Sequence, residues 1–164
     1  MNKTISFRTD TDADILKNWW QNDLKSNPGT QATLRRCQNP TEVFFHPSYH
    51  QLRQRLITNG FNITENLATI VGILSHVKEN DDKKLFAEQL AKKHAEKTKL
   101  SGLRFRRLLA IRDKEKLFID MIRVLRLIDN CANIVSLAHD MYFWGDEIRK
   151  QWAYKYYELA PKED

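Results

Sequence analysis

The chain has 164 residues, 41% hydrophobic and 29% charged, which is enough apolar material for one compact domain or two small helical lobes sharing an interface. That balance excludes a disordered chain. No apolar run approaches the roughly 20 residues that span a bilayer, and the N-terminus MNKTISFRTDTDADILK has no signal-peptide core, so a cytoplasmic protein is expected. Cys37 and Cys131 stand far apart with no CxxC pair, so neither a disulfide framework nor a zinc site is expected.

Helical spacing recurs along the chain, and no alternating strand pattern of useful length appears. The expected fold is all-α, a compact bundle of roughly eight helices. A first helix is predicted from Thr11 or Asp12 to about Lys25, with Ile15 and Trp19 on its apolar face and Trp20 either beside them or exposed. Asn27-Pro28-Gly29 ends it. A short turn of helix follows over Gln31 to Arg36, and Pro40 opens another at its first position. After the break at His46-Pro47 comes a helix over about Ser48 to Asn59, capped by Gly60. The next opens at Asn62 or Thr64 and runs through Leu67, Ile70, Val71 and Leu74. A lysine-rich helix is predicted over Lys83 to Lys97, with Leu85, Phe86 and Leu90 facing inward. Ser101 is the expected N-cap of an arginine-rich helix, and Asp113 or Lys114 starts the helix after it. Asn133 leads into a helix that stops near Gly145, and a last helix covers Asp146 to Leu159. The short linkers imply that sequence neighbours are neighbours in space.

The net charge is +6, and it is concentrated. Nine basic residues and three acidic ones lie between Lys99 and Arg126, an excess equal to the whole net charge; elsewhere the signs balance. Six of the nine are arginines, whose planar fork suits phosphate oxygens. Arg104, Arg106 and Arg107 are followed four residues later by Leu108, Ala110 and Ile111, so they are not neutralised along their own helix as on an ordinary solvated face. Arg123 and Arg126 flank the next helix, and Arg35-Arg36 forms a second basic pair. Lysines 92, 93, 97 and 99 either extend a patch or serve solubility.

Catalytic signals are sparse. His46 and His50 have i, i+4 spacing, but Pro47 stands between them and no HExxH glutamate accompanies them, so surface or capping roles are expected and no metal ligand is assigned. There is no GxSxG and no glycine-rich phosphate loop. No catalytic residue and no cofactor is expected. Most tryptophans have core spacing, with Trp20 and Tyr154 the expected exposed aromatics.

Several segments in order resemble the CasB family, the small subunit of the type I-E CRISPR complex Cascade. They are Trp19 … Gly29 … Leu34-Arg35-Arg36, then Pro40-Thr41-Glu42 and Pro47-Ser48-Tyr49. Later come Ser101-Gly102-Leu103-Arg104-Phe105-Arg106-Arg107-Leu108-Leu109, Ile122-Arg123-Val124-Leu125-Arg126, and Trp144-Gly145-Asp146 … Trp152 … Tyr156-Tyr157. The resemblance implies a non-enzymatic, all-helical subunit: residues 1–11 a variable extension, residues 12–164 one domain divisible into lobes at about 12–98 and 99–164. It implies DNA-binding and RNA-binding through the backbone, holding the displaced non-target strand and stabilising the R-loop. Implied partners are the CRISPR RNA-binding backbone and large subunits, a second copy of the chain, CRISPR RNA and single-stranded target DNA, with no membrane. Arg35, Arg36, Arg104, Arg107, Arg123 and Arg149 match basic family positions. Ala110 and Ile122-Arg123-Val124 depart from the pattern, so contacts shift toward Arg106, Arg112 or Arg126. A helical adaptor for acidic protein surfaces uses the same charge and is the competing reading; an RNA-processing enzyme using His46 and His50 is a third.

Overall fold

Short polar side chains set the starts of the helices. In the computed structural model, which describes residues 3–8, 10–95 and 97–160, Asn27, Asn39, Ser101, Asp113 and Asn133 each accept a backbone N–H from the first turn that follows. His46 does the same through Nδ1, 3.1 Å from Ser48 N. Such caps satisfy donors that the helix itself leaves unpaired. The helices are α1 (Asp10–Trp19), α2 (Pro28–Arg35), α3 (Pro40–Phe44), α4 (Pro47–Thr58), α5 (Asn66–Leu74), α6 (Phe86–Gln89), α7 (Gly102–Leu109), α8 (Lys114–Leu127), α9 (Ile134–Tyr142) and α10 (Asp146–Leu159). The predicted all-α class holds. Pro28, Pro40 and Pro47 all occupy first-turn positions. Two of these prolines read in the sequence as stops; they are starts, because a missing N–H costs nothing there.

Three two-residue strand pairs close loops. β1 (Lys3–Thr4) runs parallel to β2 (Phe61–Asn62), and β3 (Glu79–Asn80) parallel to β6 (Cys131–Ala132). β4 (Lys93–His94) and β5 (Lys97–Thr98) form an antiparallel hairpin. The N-terminal segment is docked: Ile5 and Phe7 are fully buried, and the Asp12 carboxylate accepts from the backbone N–H of Ser6 and Phe7. Residues 1, 2 and 9 of the predicted extension, Glu96 of the predicted lysine-rich helix, and residues 161–164 lie outside the described residues.

One core runs through the chain, with α5 at its centre. Every residue from Leu67 to Leu74 is buried, between α3, α8 and α9. Gly72 is required there: a Cβ would stand 2.4 Å from Phe118 Cε2.

Three expectations are corrected. Trp20 is buried, not exposed. Leu16, Trp20 and Leu24 stand four residues apart on one buried face, and after Trp19 the helix continues as a π-helical stretch, Trp20–Lys25. The Trp20 indole N–H then donates to Leu74 O at 3.3 Å. The lysine-rich helix shrinks to Phe86–Gln89 and gives way to the β4–β5 hairpin. From Lys92 to Lys99 the sequence offers no large apolar side chain to bury, and helices this short persist by packing. Asp129 instead draws Lys92 and Lys99 together at the hairpin's base, and Ala95 turns the tip at φ 57°. Leu85, expected inside, is 49% exposed, while Phe86 and Leu90 are buried. Among the described residues, no helix is long and apolar enough to cross a membrane.

Candidate nucleic-acid interface

Ser101 starts α7 and Asp113 starts α8, and the two helices pack with a groove between them. α7 is anchored from behind: Phe105 stacks on Tyr156 with centroids 3.9 Å apart, and Tyr157 meets its edge. The groove, of about 510 Å3, has Leu100, Leu108, Val124 and Leu127 on its apolar floor. Its walls carry Arg104 and Arg107 from α7, and Lys116, Arg123 and Arg126 from α8. All five basic residues are exposed. A single carboxylate, Asp120, faces them; it accepts from Lys116 Nζ at 2.6 Å and from Arg123 Nη1 at 3.4 Å. Five cations against one anion over an apolar floor is an arrangement suited to a polyanion. Exposed pairs of this kind are individually weak, so a phosphate competes for Lys116 and Arg123 at small cost.

The structure therefore brings together Arg104, Arg107, Arg123 and Arg126. Arg106 does not line this groove; two residues beyond Arg104 it points about 200° away around the helix. Arg149 is only 16% exposed: Nη1 donates to Leu109 O at 3.1 Å, and Nη2 pairs with Asp146, whose carboxyl it holds below the usual range. It ties α10 to the end of α7. Arg35 Nε donates to Ser75 O at 2.8 Å, and Arg36 is exposed at the end of α2. Lys116 was not singled out from the sequence. Its signal was there: residues 116, 120, 123 and 127 make one stripe at helical spacing.

The histidines divide: His46 caps a helix, His76 is buried, His139 is half-buried, and His50 and His94 are exposed. His46 caps α4, and His50 Nε2 donates to Phe44 O at 2.7 Å. Burial pushes His76 down to about 4, helped by the charges of Arg35 and Arg126. Among the described residues, no three His, Cys, Asp or Glu side chains cluster as a metal site. All four tryptophan N–H groups are spent inside the protein, on Ser48 O, Leu74 O, Ile111 O and Asp140. Tyr154 is exposed as expected, at 71%, but lies outside the groove.

Fold and groove together define an all-helical protein with a basic groove between two consecutive helices. The model of the CRISPR-associated protein Cse2 family matches residues 30–157, and the chain belongs to that family, the one its motifs resemble under the name CasB. Among solved structures, a chain of E. coli Cascade bound to a PAM-containing double-stranded DNA target superposes with a TM-score of 0.68 at 19% identity, covering 90% of this chain and 94% of that one. No curated protein matches the sequence.

Proposed function

We propose that this protein is a non-catalytic subunit of a type I-E Cascade complex that holds nucleic-acid backbone, the displaced non-target strand of the R-loop above all. The observation that carries this is the α7–α8 groove, where four arginines and a lysine meet one aspartate over an apolar floor. Family membership and the likeness to a Cascade chain support it. The chemistry is positioning: arginine forks on phosphate oxygens fix a strand without reading its bases. Sequence is left to RNA–DNA pairing, as in other RNA-guided effectors. Its partners in this reading are the CRISPR RNA-carrying backbone and large subunits, a second copy of the chain, CRISPR RNA and target DNA.

The test is fluorescence anisotropy with labelled single-stranded DNA, single-stranded RNA and duplex DNA over a salt series. About four net phosphate contacts predict a log–log salt slope near −3 on single strands, with no sequence preference. Arg104→Glu with Arg107→Glu should abolish binding. Full-strength binding by that double variant would sink the reading. Absence of polynucleotide binding, with tight association to an acidic protein surface, would favour an adaptor.

A further inference from the structure

Away from the basic groove, α1, α9 and α10 bound a trough of about 610 Å3. One wall is a stripe of α1 with Asp10, Asp14 and Lys17 at i, i+4 and i+7; the other is a stripe of α10 with Tyr154, Lys155 and Glu158. These rim residues are exposed or half-exposed, whereas Asp140 of α9 and Trp152 are buried, so the Asp140 carboxylate lies at the bottom. Asp140 is 8% exposed, and its Oδ2 accepts from Trp152 Nε1 at 2.7 Å. No donor among the described residues reaches its Oδ1. A carboxylate this deep with one oxygen unmatched is uncommon, because its lost hydration is only partly replaced. Here it borders a space large enough for a side chain.

The trough also differs in sign from the rest of the surface. Asp10, Asp14, Asp140 and Glu158 face Arg8, Lys17 and Lys155, in a protein whose net charge is +6. Lys155 is taken up by Glu158 at 3.9 Å, while Asp10 and Asp14 make no ion pair among the described residues. Carboxylates in excess repel a polyanion and attract a cation. Leu85 and Tyr154, 49% and 71% exposed, add apolar edges. Apolar edges around one buried charge suit a protein chain with an anchoring side chain. We propose that this trough docks a segment of a partner protein, which inserts an arginine or lysine side chain onto Asp140. The inference uses none of the residues of the α7–α8 groove and does not rest on the strand-holding reading.

The pH dependence follows from charge. Burial pushes the free Asp140 carboxyl up to about 6, against smaller pulls from the Trp152 hydrogen bond and the Arg8 charge. The other charged or titratable groups around it are Asp10, Asp14 and Lys17 on α1, His139 on α9, and Lys155 and Glu158 on α10. His139 Nδ1 donates to Ser6 O at 2.5 Å, and burial lowers its pKa, so it is neutral at pH 7. A cation on Oδ1 favours the carboxylate, so the bound pKa is lower than the free one. Docking is therefore strongest above about 6 and weakens as pH falls through that value, with proton release.

The experiment titrates the full-length protein with the capped peptide Ac-Ala-Leu-Arg-Leu-Ala-NH2, with its citrulline isostere, which keeps the shape without the charge, and with spermidine. The readout is the Trp152 indole cross-peak in 1H–15N NMR, since that N–H donates to Asp140. Asp140→Asn, which keeps an oxygen for the indole, identifies the peak and serves as the binding variant; circular dichroism confirms that it folds. The arginine peptide should shift the peak saturably at pH 7, and citrulline or Asp140→Asn should weaken binding at least tenfold. Wild-type affinity should fall about tenfold from pH 7 to pH 5, as the ionised fraction of a carboxyl at about 6 does. Equal binding of the arginine and citrulline peptides, or equal binding by wild type and Asp140→Asn, overturns Asp140 as the anchor. Spermidine binding more tightly than the peptide overturns the protein occupant in favour of a free polyamine. A Trp152 peak that none of the three ligands moves overturns the site.

Discussion

Replacing Asp140 with asparagine should stabilise the protein at pH 8 and leave it unchanged near pH 4. Asp140 sits on α9 with 8% of its surface exposed, and its Oδ2 accepts from Trp152 Nε1 at 2.7 Å. Burial pushes its carboxyl up to about 6, against smaller opposing pulls from the Trp152 hydrogen bond and the Arg8 charge. For an acid whose folded pKa is raised, the ionised form is penalised in the native state. The native state then binds more protons than the unfolded one between 3.8 and about 6. Stability from this group falls as pH rises through that window and stays low above it. The difference amounts to about 3 kcal/mol at 1.36 kcal/mol per pH unit. Asparagine keeps an oxygen for Trp152 Nε1 and carries no charge to desolvate. Asp140→Asn should thus gain about 2–3 kcal/mol at pH 8, a melting shift of about 5–10 °C for a chain of this size. Urea unfolding of both proteins at pH 8 and pH 4 measures it. A variant less stable than wild type at pH 8 would refute the reasoning, since it would mean that the ionised carboxylate is held by more than Trp152 and Arg8.

Other substitutions separate structural from binding roles. Arg149→Ala should cost about 1–3 kcal/mol in urea unfolding, since it leaves Leu109 O without its charged donor, while the salt slope for single-stranded DNA stays at the wild-type value. Trp20→Ala should destabilise by about 3–5 kcal/mol, as for other buried aromatics, because the ring is core and its N–H bonds Leu74 O; near-native stability would contradict that burial. Ser101→Ala should remove about 1 kcal/mol by uncapping α7, read as a lower urea midpoint with an unchanged slope of the transition.

The helices legible in the sequence were those whose apolar period and cap agree. Ser101, Asp113 and Asn133 each cap where expected, and α10 has the predicted limits Asp146–Leu159. What failed depended on contacts distant in sequence. The fate of Lys92 and Lys99 is decided by Asp129, more than 29 residues away. Trp20 shares a buried face with Leu16 and Leu24, and its indole N–H bonds Leu74 O, 54 residues away. At the candidate interface, the arginine excess was visible as charge, but its sorting was not. Arg104 and Arg106 differ by two positions, enough to put one on the groove and the other away from it. Arg149 matches a basic family position, yet its surroundings are a carbonyl and a carboxylate.

The indole hydrogen bonds give the molecule a built-in optical division of labour. Each tryptophan ties two segments distant in sequence together through its N–H, and none lines the α7–α8 groove. Intrinsic emission therefore reports whether these ties are intact, whereas a strand laid along the groove meets arginine, lysine and leucine and has no indole there to stack on. A titration can follow folding in the tryptophan channel and occupancy in the label on the nucleic acid, in one cuvette, with little crosstalk between the two signals.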